Sequence, residues 1–317
     1  MRSDRAAQPT CPDLSAAPSP PPDPAAQRNV VPQGTVYVPV GSRPNRLLGS
    51  GQGWFYVGTS SYHAMNLSLL KRASRGLTFK TSYTWGKVLD INSSNLVNGA
   101  DNENPTTMNR FNRNLDKGPA SFSLLHQFST NFSYQLPFGN GKAFGSGSSG
   151  LVEKLIGGWQ WNNIFTVNSG FPITPQVGSN RSGSGDTRNP DRPSWNPDFK
   201  GNPILGVDGF KKTGQYFDPN AFSVPVAGTF GNVGRDQLRG PGMFNVDTSF
   251  FKRIPLKERM NLQFRTEIFN VLNHPNFGHP NLIVFSGTDI SPTAGVLTGT
   301  ATSGNGRQIQ FALRLEF

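Results

Sequence analysis

Gly145-Ser-Gly-Ser-Ser-Gly150 has the glycine spacing of a loop that cradles a dinucleotide pyrophosphate. That chemistry needs a strand before the glycines and a packed helix after them, because the pyrophosphate rests on the helix N-terminus. Only the six residues Leu151 to Ile156 intervene before Gly157-Gly158 and a new alternating segment at Trp159, so a flexible turn is expected instead. Gly141-Lys142 is followed by Ala143 and lacks a glycine five residues before Gly141, so it is no P-loop. Asp90-Ile-Asn-Ser-Ser-Asn-Leu-Val-Asn-Gly-Ala-Asp101 puts oxygen side chains at calcium-loop positions 1, 3, 5, 9 and 12. It lacks the glycine at position 6 and flanking helices, and a solvated Asn-rich loop explains it as well. His274 and His279 lie five apart in a Pro-rich loop without a clear third ligand for zinc. His63 and His126 are remote in sequence, and no Ser–His–Asp or paired-carboxylate arrangement emerges. No enzyme activity, catalytic residue, metal site or cofactor is expected.

The informative residues are the ones that would position such groups. In Arg307-Gln-Ile-Gln-Phe-Ala-Leu-Arg-Leu-Glu-Phe317, Ile309, Phe311, Leu313, Leu315 and Phe317 share one parity, while Gln308, Gln310, Arg314 and Glu316 share the other. Successive strand side chains point to opposite faces, so this segment has one apolar and one polar face. It is about as long as a tilted strand needs to be to cross a bilayer. The same alternation recurs upstream. Met65, Leu67 and Leu69 oppose Asn66 and Ser68; Leu77, Phe79, Thr81, Tyr83 and Trp85 oppose Thr78, Lys80, Ser82 and Thr84. Phe122, Leu124, Phe128, Phe132, Tyr134 and Leu136 form another apolar face, interrupted near its middle by His126. Trp159, Trp161, Phe165 and Val167 follow, then Phe244, Val246, Thr248 and Phe250, then Met260, Leu262, Phe264 and Ile268.

The pattern predicts an all-β protein: about seven long antiparallel strands forming part of a transmembrane β-barrel, with long loops. The expected connections alternate strictly in length: 73–76 short, 87–118 long, 137–157 intermediate, 173–242 very long, 253–258 short, 273–306 long. Outer-membrane barrels sort their connections this way, with short turns on the periplasmic side and long loops outside. Short strands are expected to hide near Phe217 to Phe230. The residues expected to face lipid are Leu77, Phe79, Tyr83, Trp85, Phe128, Phe132, Trp159, Trp161, Phe264, Phe311, Leu313 and Leu315, with no Lys or Arg among these faces in the clearest strands. Lys80, Arg265, Glu267, Arg314 and Glu316 are expected on the wet face, where Arg265–Glu316 or Glu267–Arg314 would link the last two strands.

Composition is compatible with this. Apolar residues make up only 35% of the chain, whereas Gly (36), Pro (26) and Phe (24) are abundant, as in a barrel with a wet interior and long loops. No run of 18 apolar residues exists, so no transmembrane helix is expected. The Pro- and Ala-rich residues 1–33 cannot bury a core and are expected to be disordered, leaving 34–317 as the β segment; Val36 to Val40 is a candidate short strand. No signal peptide is recognisable after Met1. Cys11 is the only cysteine, which excludes an intrachain disulfide. The net charge of +11 comes from cations scattered through the expected loops (Arg110, Arg113, Arg181, Arg188, Arg192, Lys200, Lys211, Lys212, Arg235 and Arg239). No helix carries a basic stripe, so no nucleic acid is expected. Anionic lipopolysaccharide is the partner such loops would meet from outside, and simple solvation explains them equally well.

Several segments resemble the C-terminal barrel of TonB-dependent outer-membrane receptors of the Oar-like kind, which are abundant in Acidobacteria and myxobacteria. They are Ser61 to Leu67, Arg75 to Trp85 with Asp90, Tyr134 to Gly139 with Gly141-Lys142, Gly157 to Gln160, Gly234-Arg-Asp-Gln-Leu-Arg-Gly-Pro-Gly242 with Asp247, and Phe264 to Gly278. The resemblance runs from about residue 34 to the end. It implies a cell outer-membrane location in a Gram-negative bacterium, and a barrel of about 22 strands with a plug inside. It also implies substrate uptake driven by the TonB complex through a plug absent from this chain, and Phe317 as the residue read by the barrel-assembly machinery. Seven strands are about a third of such a barrel and cannot close it, so the chain is expected to be a fragment or to have a misplaced start. A non-transporting surface or adhesion barrel, or a secreted carbohydrate-binding β-sandwich, remain as alternatives.

Overall fold

The computed structural model describes residues 57–74, 76–93, 106–109, 112–184, 188, 190–257, 260–301 and 306–317. The proline-rich N-terminus, the Val36–Val40 strand, most of the Asn-rich 90–101 loop and Arg110 lie outside the described residues. Seven long strands follow in chain order: β1 (Ser60–Ser74), β2 (Leu77–Asp90), β3 (His126–Gln135), β4 (Trp159–Asn168), β5 (Met243–Lys257), β6 (Met260–Phe269) and β7 (Gln308–Glu316). Each pairs antiparallel with the next, so the sheet is an up-and-down meander. The shortest has 9 residues and the longest 15, enough for a tilted strand to span a bilayer. Among the described residues the other sheets are three two-stranded pairs, so there is no second large sheet of the kind a sandwich needs.

Strand ends are set locally. Gly76 sits at φ 81° in the β1–β2 turn, where a side chain would be strained. At the β5–β6 turn, Pro255 lacks an N–H, and the register shifts between Pro255 and Lys257. Both turns are tighter than alternation alone predicts, because the strands run on past their last clear alternating residue. β3 is shorter than predicted. Val88 N, which would feed the ladder, is taken by Ser123 Oγ at 3.1 Å, and Ser123 N turns back to the Ala120 carbonyl at 2.8 Å. The strand therefore starts at His126. Phe122 and Leu124 leave the apolar face and line a cleft of about 420 Å³ with Tyr62, Thr84, Val88 and Gln127. His126 accordingly lies at the end of the apolar face rather than in its middle.

The long connections are not loose. Their short pieces pair with one another: Pro172–Ile173 with Leu238–Arg239, and Ser194–Trp195 with Phe222–Ser223, the latter within the stretch where short strands were expected. The hydrophobic core of the described chain sits here, built on Ile173, Val177, Phe217, Phe222, Val233, Leu238, Val284 and Phe285. Residues from the β4–β5 and β6–β7 connections thus share one core. We call this body the cap. It covers the end of the sheet where β2, β4 and β6 finish and β3, β5 and β7 begin. Among the described residues the opposite end carries only the short β1–β2 and β5–β6 connections and the segment 136–158.

Candidate membrane-facing surface and the ion network beneath the cap

Directly paired residues in an antiparallel sheet project from the same face. The register therefore decides which side chains share a surface. Leu77 pairs with Tyr134, Phe79 with Phe132, Tyr83 with Phe128 and Trp85 with His126. Phe128 continues to Val167 and Tyr134 to Trp161. Val167 continues to Phe244, Trp161 to Phe250 and Trp159 to Lys252. Lys252 continues to Phe264, which pairs with Leu313; Thr266 pairs with Phe311 and Leu262 with Leu315. All twelve residues expected to face lipid thus lie on one face, joined across all seven strands by Met65–Trp85 and Leu67–Tyr83 at the first edge. No protein covers much of this face: Phe311 is 67% and Leu313 68% exposed. Contiguous exposed apolar surface of this extent marks a contact with lipid or protein. Phe317 is also exposed, just past the end of β7.

Rings tie the face together. Phe132 meets Trp161 edge-on at 4.7 Å between centroids, Phe165 meets Phe244 at 5.4 Å, and Phe264 stacks on Phe311 at 6.2 Å. Tyr83, Trp85 and His126 cluster towards the cap end, with Tyr83 Oη and His126 Nδ1 2.8 Å apart. Trp159 and Trp161 mark the turn end.

Three lysines also fall on this face once the strands lengthen: Lys71 opposite Phe79, Lys87 opposite His63, and Lys252. They correct the expectation of a cation-free face, and each lies towards a strand end. Lys252 shows how the charge is accommodated: its ammonium bonds the Gly157 carbonyl and sits 5.4 Å from the centre of the Trp159 ring.

The opposite face carries Lys80, Asn131, Gln160, Asn162, Gln263, Arg265, Glu267, Gln310, Arg314 and Glu316, with Leu70, Ile164 and Phe251 among its apolar exceptions. The predicted Arg265–Glu316 and Glu267–Arg314 links do not form. The register sets Arg265 opposite Ala312 and Glu267 opposite Gln310, several residues from the proposed partners. Arg265 instead donates Nε to Gln263 Oε1 at 2.7 Å and lies over the Phe251 ring. Glu316 lies 3.7 Å from both Arg253 and Arg314.

Beneath the cap lies an ion network. Arg192 (4% exposed) donates Nη1 to Asp116 Oδ1 at 2.7 Å, Nη2 to the Leu115 carbonyl and Nε to the Val233 carbonyl. Arg235 (5% exposed) pairs with the Asp90 carboxylate, donates Nε to the Asp116 carbonyl at 2.7 Å, and lies 3.3 Å from Asp236. Asp236 takes a left-handed φ of 55°, held by reciprocal 2.8 Å bonds with Thr174. Arg239 donates to the Ser123 and Gly170 carbonyls, and burial lowers its pKa against the opposing pull of Asp236. These three guanidiniums pin segments 112–123, 169–193 and 229–242 to the end of β2.

Arg192 and Arg235, expected as cations open to an anionic partner, are therefore turned inward, and Arg239 is half-buried. Lys200, Lys211 and Lys212 stay exposed. Asp90, the first position of the calcium-like loop, is occupied by Arg235 on one oxygen and by Ser93 Oγ at 2.6 Å on the other. His274 and His279 serve different contacts. The His274 backbone N–H donates to Asn270 Oδ1, and the His279 ring packs edge-on against Phe171. The Gly145–Gly150 segment leads into a seven-residue helix, α1 (Gly150–Ile156), none of whose residues is buried. No packed helix stands behind the glycines. Nor is the turn slack: Glu153 accepts from Asn140 N and Ser148 Oγ, both at 2.6 Å. The Ser148 bond foremost holds its carboxyl below the usual range.

An antiparallel meander with one continuous apolar face, and with connections sorted by length to its two ends, is the wall of a membrane-spanning β-barrel. A family profile described as "Outer membrane beta barrel domain" matches residues 7–310. The chain belongs to this family, and its place is the outer membrane. Among solved structures, the outer membrane transporter YddB from Escherichia coli is similar, with 14% identity and a TM-score of 0.37 over 81% of this chain and 25% of that one. The chain spans about a quarter of that transporter's length. No curated protein matches.

Proposed function

We propose that the chain is a wall segment of a TonB-dependent, Oar-like receptor that takes up a substrate across the outer membrane. The observation that carries this reading is the cap. Long connections that in a passive pore would need only to reach the next strand are here packed into one body with its own core. Such a body offers a preorganised surface at the outer mouth. The twelve apolar residues would contact lipid, the polar face would line the passage, and exposed Lys200, Lys211 and Lys212 would meet lipopolysaccharide. Phe317 would engage the barrel-assembly machinery. Energy would come from the TonB complex acting on a plug held inside the whole barrel, and the chain itself performs no catalysis.

Two measurements test this. The native gene product, detected with an antibody to the cap, should fractionate with outer membranes and migrate faster on gels unheated than boiled. Nutrient profiling of a deletion strain should then show a growth defect that loss of TonB reproduces. A defect independent of TonB would leave a surface or adhesion barrel instead.

A further inference from the structure

The segment joining β3 to β4 is the one connection at the turn end that carries its own helix. Leu151, Val152 and Leu155 fall on one side of α1, spaced i, i+1 and i+4, and are 79%, 54% and 72% exposed. A helix of this size in contact with water alone gains nothing from such a face. Its location is fixed by Trp159, the first residue of β4, whose Nε1 donates to the Leu155 carbonyl at 3.0 Å. Trp159 belongs to the apolar face of the sheet through its pairing with Lys252, and Lys252 reaches the Gly157 carbonyl just past the helix. The C-terminal end of α1 therefore abuts the turn end of the apolar face. The charges agree. Glu153 is turned into the turn by Asn140 and Ser148, so the charge left outward on α1 is that of Lys154.

We propose that α1 is an interfacial anchor. Its Leu151–Val152–Leu155 side lies among the headgroups and first acyl carbons of the glycerophospholipid leaflet at the turn end of the sheet. Lys154 reaches lipid phosphates, and Trp159 sits in the aromatic belt at the same depth. The anchor fixes how deep the turn end can sink and tilts no strand out of register. It rests on the reading of the sheet as a lipid-facing wall.

The test uses the native outer-membrane protein that carries this segment, with its cysteines replaced by serine (Cys11→Ser here), reconstituted in vesicles of phosphatidylethanolamine and phosphatidylglycerol. An environment-sensitive fluorophore is placed at L155C, L151C, L313C or K212C in turn. Lipids carrying a nitroxide at acyl carbon 5 or 14 serve as quenchers. The carbon-5 nitroxide should quench the Leu155 and Leu151 labels at least twofold more than the Lys212 label on the cap. The carbon-14 nitroxide should quench the Leu313 label most. Quenching at Leu313 with neither helix label quenched would overturn the anchor and leave the wall intact. Absence of quenching at Leu313 as well would overturn the wall and the anchor with it.

Discussion

Arg235 and Asp90 form a buried ion pair although 145 positions separate them in the chain. One belongs to the connection before β5 and the other ends β2, so the pair fastens the cap to the sheet. Truncation in Arg235→Ala would leave the buried Asp90 carboxylate without its counter-charge, and breaking a buried pair costs about 3–5 kcal/mol. Arg235→Lys should recover little, because one ammonium cannot reach Asp90, Asp236 and the Asp116 carbonyl together. Denaturant titration in detergent, with limited trypsin digestion, should show the cap opening before the sheet. An unchanged midpoint in Arg235→Ala would remove the network from the account of the cap.

Close chain crossings in the cap depend on missing side chains. A Cβ at Gly231 would run into the carbonyls of Arg192 and Pro193, and one at Gly170 into that of Gly240. Gly231→Ala and Gly170→Ala should each cost roughly 1–3 kcal/mol as overpacking. Gly147→Ala, which meets nothing within 4 Å, should be near neutral. Thermal melts of the three variants compare them directly.

The two faces of β7 predict opposite responses. Leu313→Arg puts a cation mid-strand on the apolar face, at a cost of about 2–4 kcal/mol in a bilayer. Gln310→Arg puts it on the polar face opposite Glu267 and should change folding into vesicles little. Equal penalties at both positions would contradict the assignment of faces.

This division was legible in the sequence because period-2 alternation survives wherever one face of a strand is polar. Six of the seven strands were found with their parity intact, and β3 was found with its first residues misassigned. Phe122 and Leu124 continue the alternation on paper, yet Ser123 interrupts the ladder, and a side chain capturing a backbone N–H leaves no periodic trace. The cap was illegible for a related reason. Its core residues, such as Ile173, Val177 and Val233, are isolated among polar residues, Gly and Pro, and only tertiary contact joins them. The motif Gly234 to Gly242 stood out by resemblance. What it does follows from distant partners: Arg235 is buried by groups more than a hundred positions upstream, and Asp236 is held by Thr174, 62 positions upstream.

Burial pushes the Tyr216 phenol up to about 12 from an ordinary 10.0. The folded cap therefore holds the proton that the unfolded chain releases first. Stability from this group is full below pH 10 and declines as pH rises from 10 towards 12. Absorbance titration at alkaline pH should show one late-ionising tyrosine, lost in Tyr216→Phe, together with a shallower alkaline loss of stability.

Glu153 works in the other direction. Its carboxyl is held below the ordinary value, so its bonds to Ser148 and Asn140 persist above that value and fail as pH falls through the lowered one. Glu153→Gln should mimic acid. Hydrogen exchange at the Asn140 amide, corrected for its intrinsic rate, should be faster in that variant, and mild acid should narrow the difference.

Because the cap is a single packed body, its outer surface is mosaic. Stretches around residues 106–121, 169–242 and 270–301 contribute side by side. An immune system or a phage meeting it would see a discontinuous epitope that no linear peptide reproduces. Such a surface also drifts under constraint. An exchange in one stretch must be matched in another, so the face it shows the outside world would change by coordinated steps rather than loop by loop.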